Sequence, residues 1–474
     1  MIKTAMIKTD AILESIADYV LDTAIPSDLA LNTAYYSLMD SLGCAMLALQ
    51  FPACSKHLGP VIPETIVPHG VPIPGTHFKL DPIKAAFDIG ILIRWLDYND
   101  TWLAAEWAHP SDNLGAILAV SDFRDRSAQT RVTIKDVLIA MIKAYEIQGI
   151  FALENSFNAI GLDHVILVKL ASTAVACGLL GANRQQLINA ISQVWLDGHS
   201  LRTYRHAPNT GSRKSWAAGD ATSRAVFLAM MSLKGEMGYP QVLTAKKWGF
   251  NDVLWQGHSL RLPQGFGSYV MENILFKIAF PAEFHAQTAV ECAIQLYPVV
   301  KNKWDAIDKI IISTQKPAMD IISKSGPLYN PADRDHCLQY MVAIGLLFGQ
   351  LTAQDYEDER ACDSRIDLLR DKMIVQENRQ FTEDYYDPNK RAIANAVQIF
   401  FKDGSQTQTI TIEYPIGHRR RREEGLPLLQ EKWRHNMASV FKEEHYNAII
   451  TLFDDKERLL NTPVSRLMDA LHLS

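Results

Sequence analysis

The chain has 474 residues, of which 48% are hydrophobic, and its formal net charge at pH 7 is -6. This length predicts two domains with enough apolar content for two cores, and the negative charge argues against nucleic acid or an anionic membrane surface as a partner. The six cysteines are scattered without a CxxC pair or other close metal-ligand spacing. We therefore expect a reducing, cytoplasmic location and no iron–sulfur cluster.

The N-terminal segment MIKTAMIKTDAILESIADYV contains lysines but no uninterrupted apolar run of signal-peptide length before its acidic residues. It reads as a native start, and the repeated MIKT makes Met6 a second candidate start beside Met1. The most apolar stretch, residues 165–182, contains Lys169 and is only marginally long enough to cross a bilayer. We predict a buried helix there.

Helical periodicity dominates residues 8–275, where strand-like alternation is almost absent. Asp163 can cap a helix that runs from residue 165 to 180, and a second helix from residue 217 to 234 ends at Gly235. This part of the chain predicts a domain made of helices alone.

The pattern changes after residue 275. Three segments have the composition of strands: 309–315, 396–402 and 405–413. The last two flank Asp403-Gly404, a strong hairpin signal. Two helices accompany the strands in sequence, one at 282–296 before the first strand and one at 334–349 after it. Residues 276–424 therefore predict an α+β domain.

The C-terminal tail follows a basic run at 418–422 and a break predicted at 425–427, and its helical pattern returns from residue 432. We expect residues 425–474 to pack against the first domain, because roughly 50 residues make a thin core of their own. The predicted fold is thus mostly α, with a large helical domain from both chain ends (1–275 and 425–474) and a smaller α+β domain inserted between them.

Several common catalytic motifs are absent from the sequence. There is no HExxH, P-loop or GxSxG motif, and Gly265-Phe266-Gly267 lacks the third glycine and the preceding strand of a dinucleotide fingerprint. Zinc, nucleotide and α/β-hydrolase chemistry lose support accordingly. We expect neither a metal nor a cofactor, so side chains must carry any chemistry.

A dense group of cations lies in residues 201–220, between two predicted helices. Its members are Arg202, Arg205, His206, Arg213 and Lys214. A solvated basic loop would explain them. The large side chains of Tyr204 and Trp216 favour a binding loop instead, because arginine forks and a lysine charge suit a compact polycarboxylate.

A second polar cluster begins at Asp97. On a helix, Asp97 and Thr101 would share one face at i, i+4, whereas His109 must lie beyond the helix end because Pro110 follows it. A cap and turn segment would explain the same residues.

Three isolated residues complete the candidates. His164 begins a very apolar helix, where a buried structural histidine is the ordinary explanation. Lys277, within NILFKIAFPAEFH, either extends to solvent or is buried in a setting suited to base chemistry. Tyr340 is, from the pattern alone, better explained as a core residue.

Six segments together closely resemble the MmgE/PrpD family, and the likeness extends over essentially the whole chain. They are DYNDTW at 97–102, HPSDN at 109–113, GLDHV at 161–165, RTYRHAPNTGSRKSWAAGDA at 202–221, FKIAFPAEFH at 276–285 and DHCLQYMVAI at 335–344. The resemblance implies a homodimer whose α+β domain is a lid, with the active site between the domains. The site residues that it implies are Asp97, Thr101, His109, His164, Lys214, Lys277 and Tyr340.

The resemblance also implies an activity. This is the metal-independent dehydration of 2-methylcitrate, a small tricarboxylate, to 2-methyl-cis-aconitate in the methylcitrate cycle of propionate catabolism, with citrate and cis-aconitate as further candidate substrates. In such a reaction we expect Lys214, with Arg202 or Arg205, to hold the reacting carboxylate.

The proton transfers need an acid and a base. We expect Lys277 or His164 to act as the base and His109 as the acid, with Asp97 and Thr101 orienting them. Two alternatives stay open: a related proton-transfer enzyme such as a cis-aconitate decarboxylase, and a dimeric protein that binds tricarboxylates without catalysis.

Overall fold

The computed structural model describes residues 8–127, 130–206 and 208–473, most of them in α-helices. The two candidate starts, Met1 and Met6, lie outside the described residues. Within the described ranges, no helix combines the length and the apolar composition needed to cross a membrane.

The first part of the chain is helical, as predicted, apart from two very short antiparallel hairpins. Its helices are α1 (Ala11–Asp22), α2 (Asp28–Ala48), α3 (Pro52–Ser55), α4 (Pro82–Arg94), α5 (Leu114–Ser127), α6 (Ile134–Glu154), α7 (Val165–Leu179), α8 (Arg184–Leu196), α9 (Arg213–Leu233), α10 (Phe250–Val253) and α11 (Tyr269–Asn273). The hairpins pair β1 (Val71–Pro72) with β2 (Lys79–Leu80), and β3 (Trp102–Leu103) with β4 (Trp107–Ala108).

Small residues set the spacing at the centre of this helical part, where α4 packs against α5 and α9. A Cβ added at Gly219 of α9 would lie 2.6 Å from the carbonyl oxygen of Phe87 in α4, and one at Gly115 of α5 would lie 2.5 Å from that of Ala86. Only glycine permits such close backbone approach. The end of α4 and the start of α9 each contribute to the polar cluster described below.

The middle of the chain forms a four-stranded mixed sheet covered by helices. Its elements are α12 (Gln287–Val300), β5 (Ile307–Thr314), α13 (Lys316–Ile322), α14 (Pro331–Arg334), α15 (Leu338–Phe348), α16 (Asp358–Ala361), α17 (Ser364–Arg370), β6 (Met373–Glu377), α18 (Arg379–Tyr386), β7 (Asn395–Phe401) and β8 (Ile410–Ile412). The strand order is β6-β5-β7-β8, with β6 parallel to β5 and the other pairs antiparallel.

The predicted hairpin joins β7 to β8. Gly404 has a φ of 84°, which glycine adopts without strain, and the amide of Phe401 donates to the carbonyl oxygen of Ser405 at 2.8 Å. Strand β8 is shorter than predicted. Residues 405–409 lie outside it, and they contact β7 through a bridge between Phe400 and Gln406 and through a hydrogen bond from the amide of Thr407 to the carbonyl oxygen of Ile399.

The tail corrects one prediction. Its helices are α19 (Arg422–Ala438), α20 (Glu443–Asp454), α21 (Lys456–Leu460) and α22 (Val464–Ala470). Helix α19 runs through Gly425 and Pro427, where the sequence predicted a break. Gly425 serves close packing instead, since a Cβ there would lie 2.6 Å from the carbonyl oxygen of Ile416.

Buried apolar side chains form two main cores. The larger core joins residues between Leu13 and Ile278 to residues of α19–α22, and the second lies between Ala282 and Phe401. The tail thus packs against the first helices, with α19 lying on α2. The boundaries at 275/276 and 424/425 stay predictions. The larger core continues past the first of them to Ile278, and the second lies between Phe401 of the second core and Leu429 of the larger core.

One contact between these parts of the chain leaves no room for a side chain. A Cβ at Gly417 would lie 1.6 Å from the carbonyl oxygen of Phe276, the residue before Lys277. We expect Gly417→Ala to lower the free energy of unfolding by about 3 kcal/mol, because the backbone must shift to admit the methyl group. Denaturant unfolding measures this, with Gly265→Ala as the control, since no heavy atom lies within 4 Å of its added Cβ. Equal unfolding free energies for the two variants would contradict the prediction.

Candidate active site

Asp97 is the centre of a buried cluster of charges. It follows α4 with a φ of 51°, and the residue is 1% exposed. Arg94 donates Nη1–H to Oδ1 at 2.7 Å, and Lys277 donates from Nζ to the same oxygen and to the backbone oxygen of Asp97 at 2.8 Å. Burial alone would raise the pKa of Asp97, but the positive charges of Arg94 and Lys277 hold it well below its usual range.

Lys214 faces the other oxygen of Asp97, at the start of α9. Its Nζ lies 3.9 Å from Asp97 Oδ2, 2.5 Å from Asp335 Oδ1 and 3.0 Å from His336 Nδ1. The helix predicted over 334–349 is interrupted between α14 and α15, and this interruption presents Asp335 and His336 to Lys214. Burial lowers the pKa of Lys214, although the carboxylates of Asp335 and Asp97 act to raise it.

One further imidazole, that of His109, lies near the first oxygen of Asp97, and a second, that of His164, lies against His109. His109 Nε2 is 3.9 Å from Asp97 Oδ1, and the rings of His109 and His164 are 5.7 Å apart. The Nδ1 of His109 lies 2.8 Å from the carbonyl oxygen of Asp100, which can only accept, so Nδ1 carries the hydrogen. Burial lowers the pKa of His109 well below its usual range and that of His164 to about 3. Both rings are therefore neutral near pH 7.

The residues between Asp97 and His109 hold the loop in place. Asp100 accepts from the amide of Ser111 at 3.0 Å and from its hydroxyl at 2.7 Å, and Asn99 donates to the same hydroxyl at 2.8 Å. The hydroxyl of Thr101 donates to the carbonyl oxygen of Ala108 at 3.1 Å. These bonds join DYNDT to HPSD, which explains how His109 reaches Asp97 although no long helix connects them.

The arginines of the 202–214 loop differ in their availability. Arg205 is committed to Asp163, to which it donates at 2.5 and 3.2 Å. The guanidinium of Arg202 lies 5.4 Å from the ring centre of Trp107. Its buried Nη1 is 3.8 Å from Asp163 Oδ2 and makes no hydrogen bond to any residue that the structure describes. Arg202 can therefore bind an anion without first breaking a bidentate ion pair.

Two other predicted binding residues do not face the cluster. His206 is exposed. Arg213 is partly exposed, pairs with Asp220 at 3.1 Å and lies 4.2 Å from the ring centre of Trp216. The structure thus separates His206 and Arg213 from Lys214, their neighbour in sequence.

Tyr340 lies in the second core, and its hydroxyl donates to the carbonyl oxygen of Asp355 at 2.7 Å. Its ring stacks on Tyr356 at 6.1 Å between ring centres. The buried hydroxyl of Tyr356 has no partner, and this residue lines a cavity of about 300 Å³ that also reaches Asp335. Tyr356, rather than Tyr340, offers a free hydroxyl next to the cluster.

Sequence reasoning missed three members of the cluster: Arg94, Asp335 and His336. Arg94 stands in an apolar helix three residues before Asp97, and that spacing was a usable signal. The Asp335-His336 pair stands directly before an apolar helix, as His164 does. The rest of the arrangement could not be predicted from neighbouring residues in the sequence, since Lys214 and Asp335 are 121 residues apart.

Family models and known proteins match this chain over most of its length. The family model described as the MmgE/PrpD N-terminal domain matches residues 14–263, and the MmgE/PrpD C-terminal domain matches residues 280–457. Three relatives carry the name 2-methylcitrate dehydratase. The protein of Escherichia coli strain K12 is 57% identical over 467 residues, which cover 97% of each chain.

The other two relatives come from a second bacterium and a yeast. The Cupriavidus necator protein is 57% identical over 468 residues, covering 97% of this chain and 96% of the relative. The mitochondrial protein of Yarrowia lipolytica is 54% identical over 477 residues, covering 99% of this chain and 91% of the relative. With two family models matching along its length and such relatives over nearly all of it, the chain belongs to the MmgE/PrpD family.

Proposed function

We propose that this chain is a hydro-lyase that dehydrates 2-methylcitrate to 2-methyl-cis-aconitate, the reaction of the methylcitrate cycle in propionate catabolism. Relatives that share 57% of its residues over nearly the full length bear the name of this activity. The observation that carries the proposal for this site is the buried cluster itself. One carboxylate, Asp97, lies among Arg94, Lys214 and Lys277, with the imidazoles of His109 and His336 each 3.9 Å away.

Dehydration requires a proton to leave the carbon next to a carboxylate while hydroxide leaves the neighbouring carbon. Charge develops on that carboxylate, so a cation beside it lowers the barrier. We propose that Lys214 and Arg202 supply this charge. The burial of Lys214 supports the assignment. Arg202 lies 3.8 Å from Asp163 without a hydrogen bond from Nη1 to any described residue, whereas Arg205 is bound to Asp163 through two hydrogen bonds.

The sequence hypothesis made Lys277 or His164 the base and His109 the acid. We now propose the opposite division, with an imidazole as base and Lys277 as acid. Lys277 donates hydrogen bonds to two oxygens of Asp97, as an ammonium does, which leaves its third N–H for the departing hydroxyl. The lowered pKa values of His109 and His164 disfavour an imidazolium acid.

We further propose that residues 276–424 form a lid over a site shared with the helical part of the chain. Asp97, Lys214 and Lys277 are buried, so the substrate needs an opening movement to reach them. The bond between Lys214 of α9 and Asp335, which precedes α15, would have to break in that movement. A homodimer and a cytoplasmic location are parts of the same proposal, and the six unpaired cysteines fit a reducing compartment.

Metal independence is also part of the proposal. Ligand atoms of Asp97, Asp335 and His336 lie within 4.8 Å of one another, a spacing that could hold a cation. Lys214 already bonds to Asp335 and lies 3.0 Å from His336 Nδ1, and Lys277 bonds to Asp97, so a divalent ion would meet two ammonium groups. We expect turnover to be unchanged after treatment with a chelator and after exposure to air. Activity that is lost on chelation and restored by iron would contradict the prediction.

A product analysis tests the function. Purified protein is incubated with 2-methylcitrate, citrate and cis-aconitate in turn, and the products are identified by NMR. We expect 2-methyl-cis-aconitate and water from the first substrate. Carbon dioxide and itaconate from cis-aconitate would favour a decarboxylase instead, and binding of all three compounds without turnover would favour a non-catalytic protein.

A further inference from the structure

We infer that His336 is the base of the reaction, that its Nε2 takes the proton from the methyl-bearing carbon of 2-methylcitrate, and that Asp335 positions it. The inference rests on the proposed function. His336 was not among the residues predicted from the sequence, and it comes into the cluster because α14 and α15 are separate helices.

The contacts of Nδ1 fix the tautomer of His336. Asp335 Oδ1 lies 2.8 Å from Nδ1 and 2.5 Å from Nζ of Lys214. An ionised carboxylate only accepts hydrogen bonds, so Nδ1–H and the ammonium both donate to this one oxygen, which explains why Nδ1 and Nζ are only 3.0 Å apart. With its hydrogen on Nδ1, the neutral ring carries a lone pair on Nε2.

The other two imidazoles lack an equivalent partner. The Nδ1 of His109 donates to a backbone carbonyl, which is uncharged. The carboxylate nearest to His164 is that of Asp163, at 3.5 Å, and Arg205 already neutralises it through two hydrogen bonds. Of the three rings, His336 alone is hydrogen-bonded to a carboxylate, and such a partner stabilises the imidazolium that forms when a base accepts a proton.

The proposed dehydration breaks one C–H bond and one C–O bond and forms one carbon–carbon double bond and one water molecule. The C–H bond breaks, its proton goes to Nε2 of His336, and its electron pair forms the carbon–carbon double bond. The C–O bond of the neighbouring carbon breaks, and the oxygen keeps the electron pair of that C–O bond. It takes a proton from Lys277 and leaves as water. His336 then loses its proton to solvent and Lys277 regains one, so the enzyme returns to its starting state.

Charged groups from several elements surround the ring of His336. Lys214 comes from α9, Asp97 from the loop after α4, Asp335 from the residue before His336, and Glu283 from the segment before α12. Burial and Lys214 lower the pKa of His336, whereas the carboxylates of Asp335 and Asp97 raise it. Removal of the Asp335 charge must therefore make His336 harder to protonate.

The experiment compares His336→Gln and Asp335→Asn with wild-type enzyme in the dehydration of 2-methylcitrate, over a range of pH. A neutral base predicts that kcat/KM falls in acid as the base is protonated. We expect His336→Gln to lower kcat by ~100-fold or more, as loss of a general base does, and to lack this acid limb. We expect Asp335→Asn to move the limb to lower pH. His258→Gln, at an exposed histidine that has no part in the proposed site, is the matched control and should retain wild-type kinetics.

The kinetics of the His336→Gln and Asp335→Asn variants decide whether His336 is the base. A His336→Gln enzyme with wild-type kcat and an unchanged acid limb would overturn the inference while leaving the proposed function intact. If that variant does not fold, Asp335→Asn decides: a limb at lower pH supports His336, and an unmoved limb overturns it. Wild-type enzyme that fails to dehydrate 2-methylcitrate would instead refute the proposed function, on which the inference depends.

Discussion

Replacement of Lys214 with alanine is expected to lower kcat/KM for 2-methylcitrate by ~100-fold or more, as the loss of a charge partner of the transition state commonly does. Lys214 is 1% exposed, and its Nζ lies within 3.9 Å of two carboxylates and one imidazole. In a buried site the charge is poorly screened, so its removal affects developing negative charge more than it would at the surface. Steady-state kinetics with purified variants measure the effect.

Arg213→Ala is the matched control for this variant. Arg213 precedes Lys214 in sequence and has the same charge, but its side chain is 38% exposed and pairs with Asp220. An exposed pair of this kind contributes little to stability, and the side chain does not face the cluster, so we expect near-normal kinetics. Near-normal kinetics in Lys214→Ala as well would remove Lys214 from the proposed mechanism.

The sequence predicted those features of the fold that depend on local pattern. Helical periodicity over 8–275 and the Asp403-Gly404 hairpin are both present, since side-chain period and turn chemistry act over a few residues. The break predicted at 425–427 was wrong, because Gly425 is explained by a close contact with Ile416, a tertiary feature that local pattern does not contain.

The residues of the candidate site also divide into those that local sequence indicates and those that depend on tertiary contacts. A run of cations indicated the loop that contains Lys214, and an unusual apolar setting indicated Lys277, so charge and context at one position were sufficient. Whether a given arginine faces the site depends on partners elsewhere in the chain. Asp163 removes Arg205 from use and lies 42 residues away, and Asp335, which joins Lys214 to His336, lies 121 residues from that lysine. Such partners become known only from the structure.

Asp97→Asn is expected to affect stability and activity together. The substitution keeps the shape of the side chain but removes the negative charge that faces Arg94, Lys277 and Lys214. Breaking a buried ion pair from one side leaves uncompensated charge, and we expect a loss of about 3–5 kcal/mol in the free energy of unfolding. Denaturant unfolding measures this, and a kinetic assay should show lost turnover because Lys277 and Lys214 lose their shared partner.

The contribution of Asp97 to the free energy of unfolding depends on pH. The folded state holds the pKa of Asp97 well below its usual range, so its ionised form stabilises the fold fully above about pH 4 and progressively less as pH falls through the lowered pKa. The stability difference between wild type and Asp97→Asn should therefore be largest near neutrality and shrink in strong acid. Asp220→Asn is the control, because this carboxylate is 50% exposed and faces only Arg213 in its ion pair. Similar unfolding free energies for the two variants at pH 7 would show that Asp97 does not organise the buried charges.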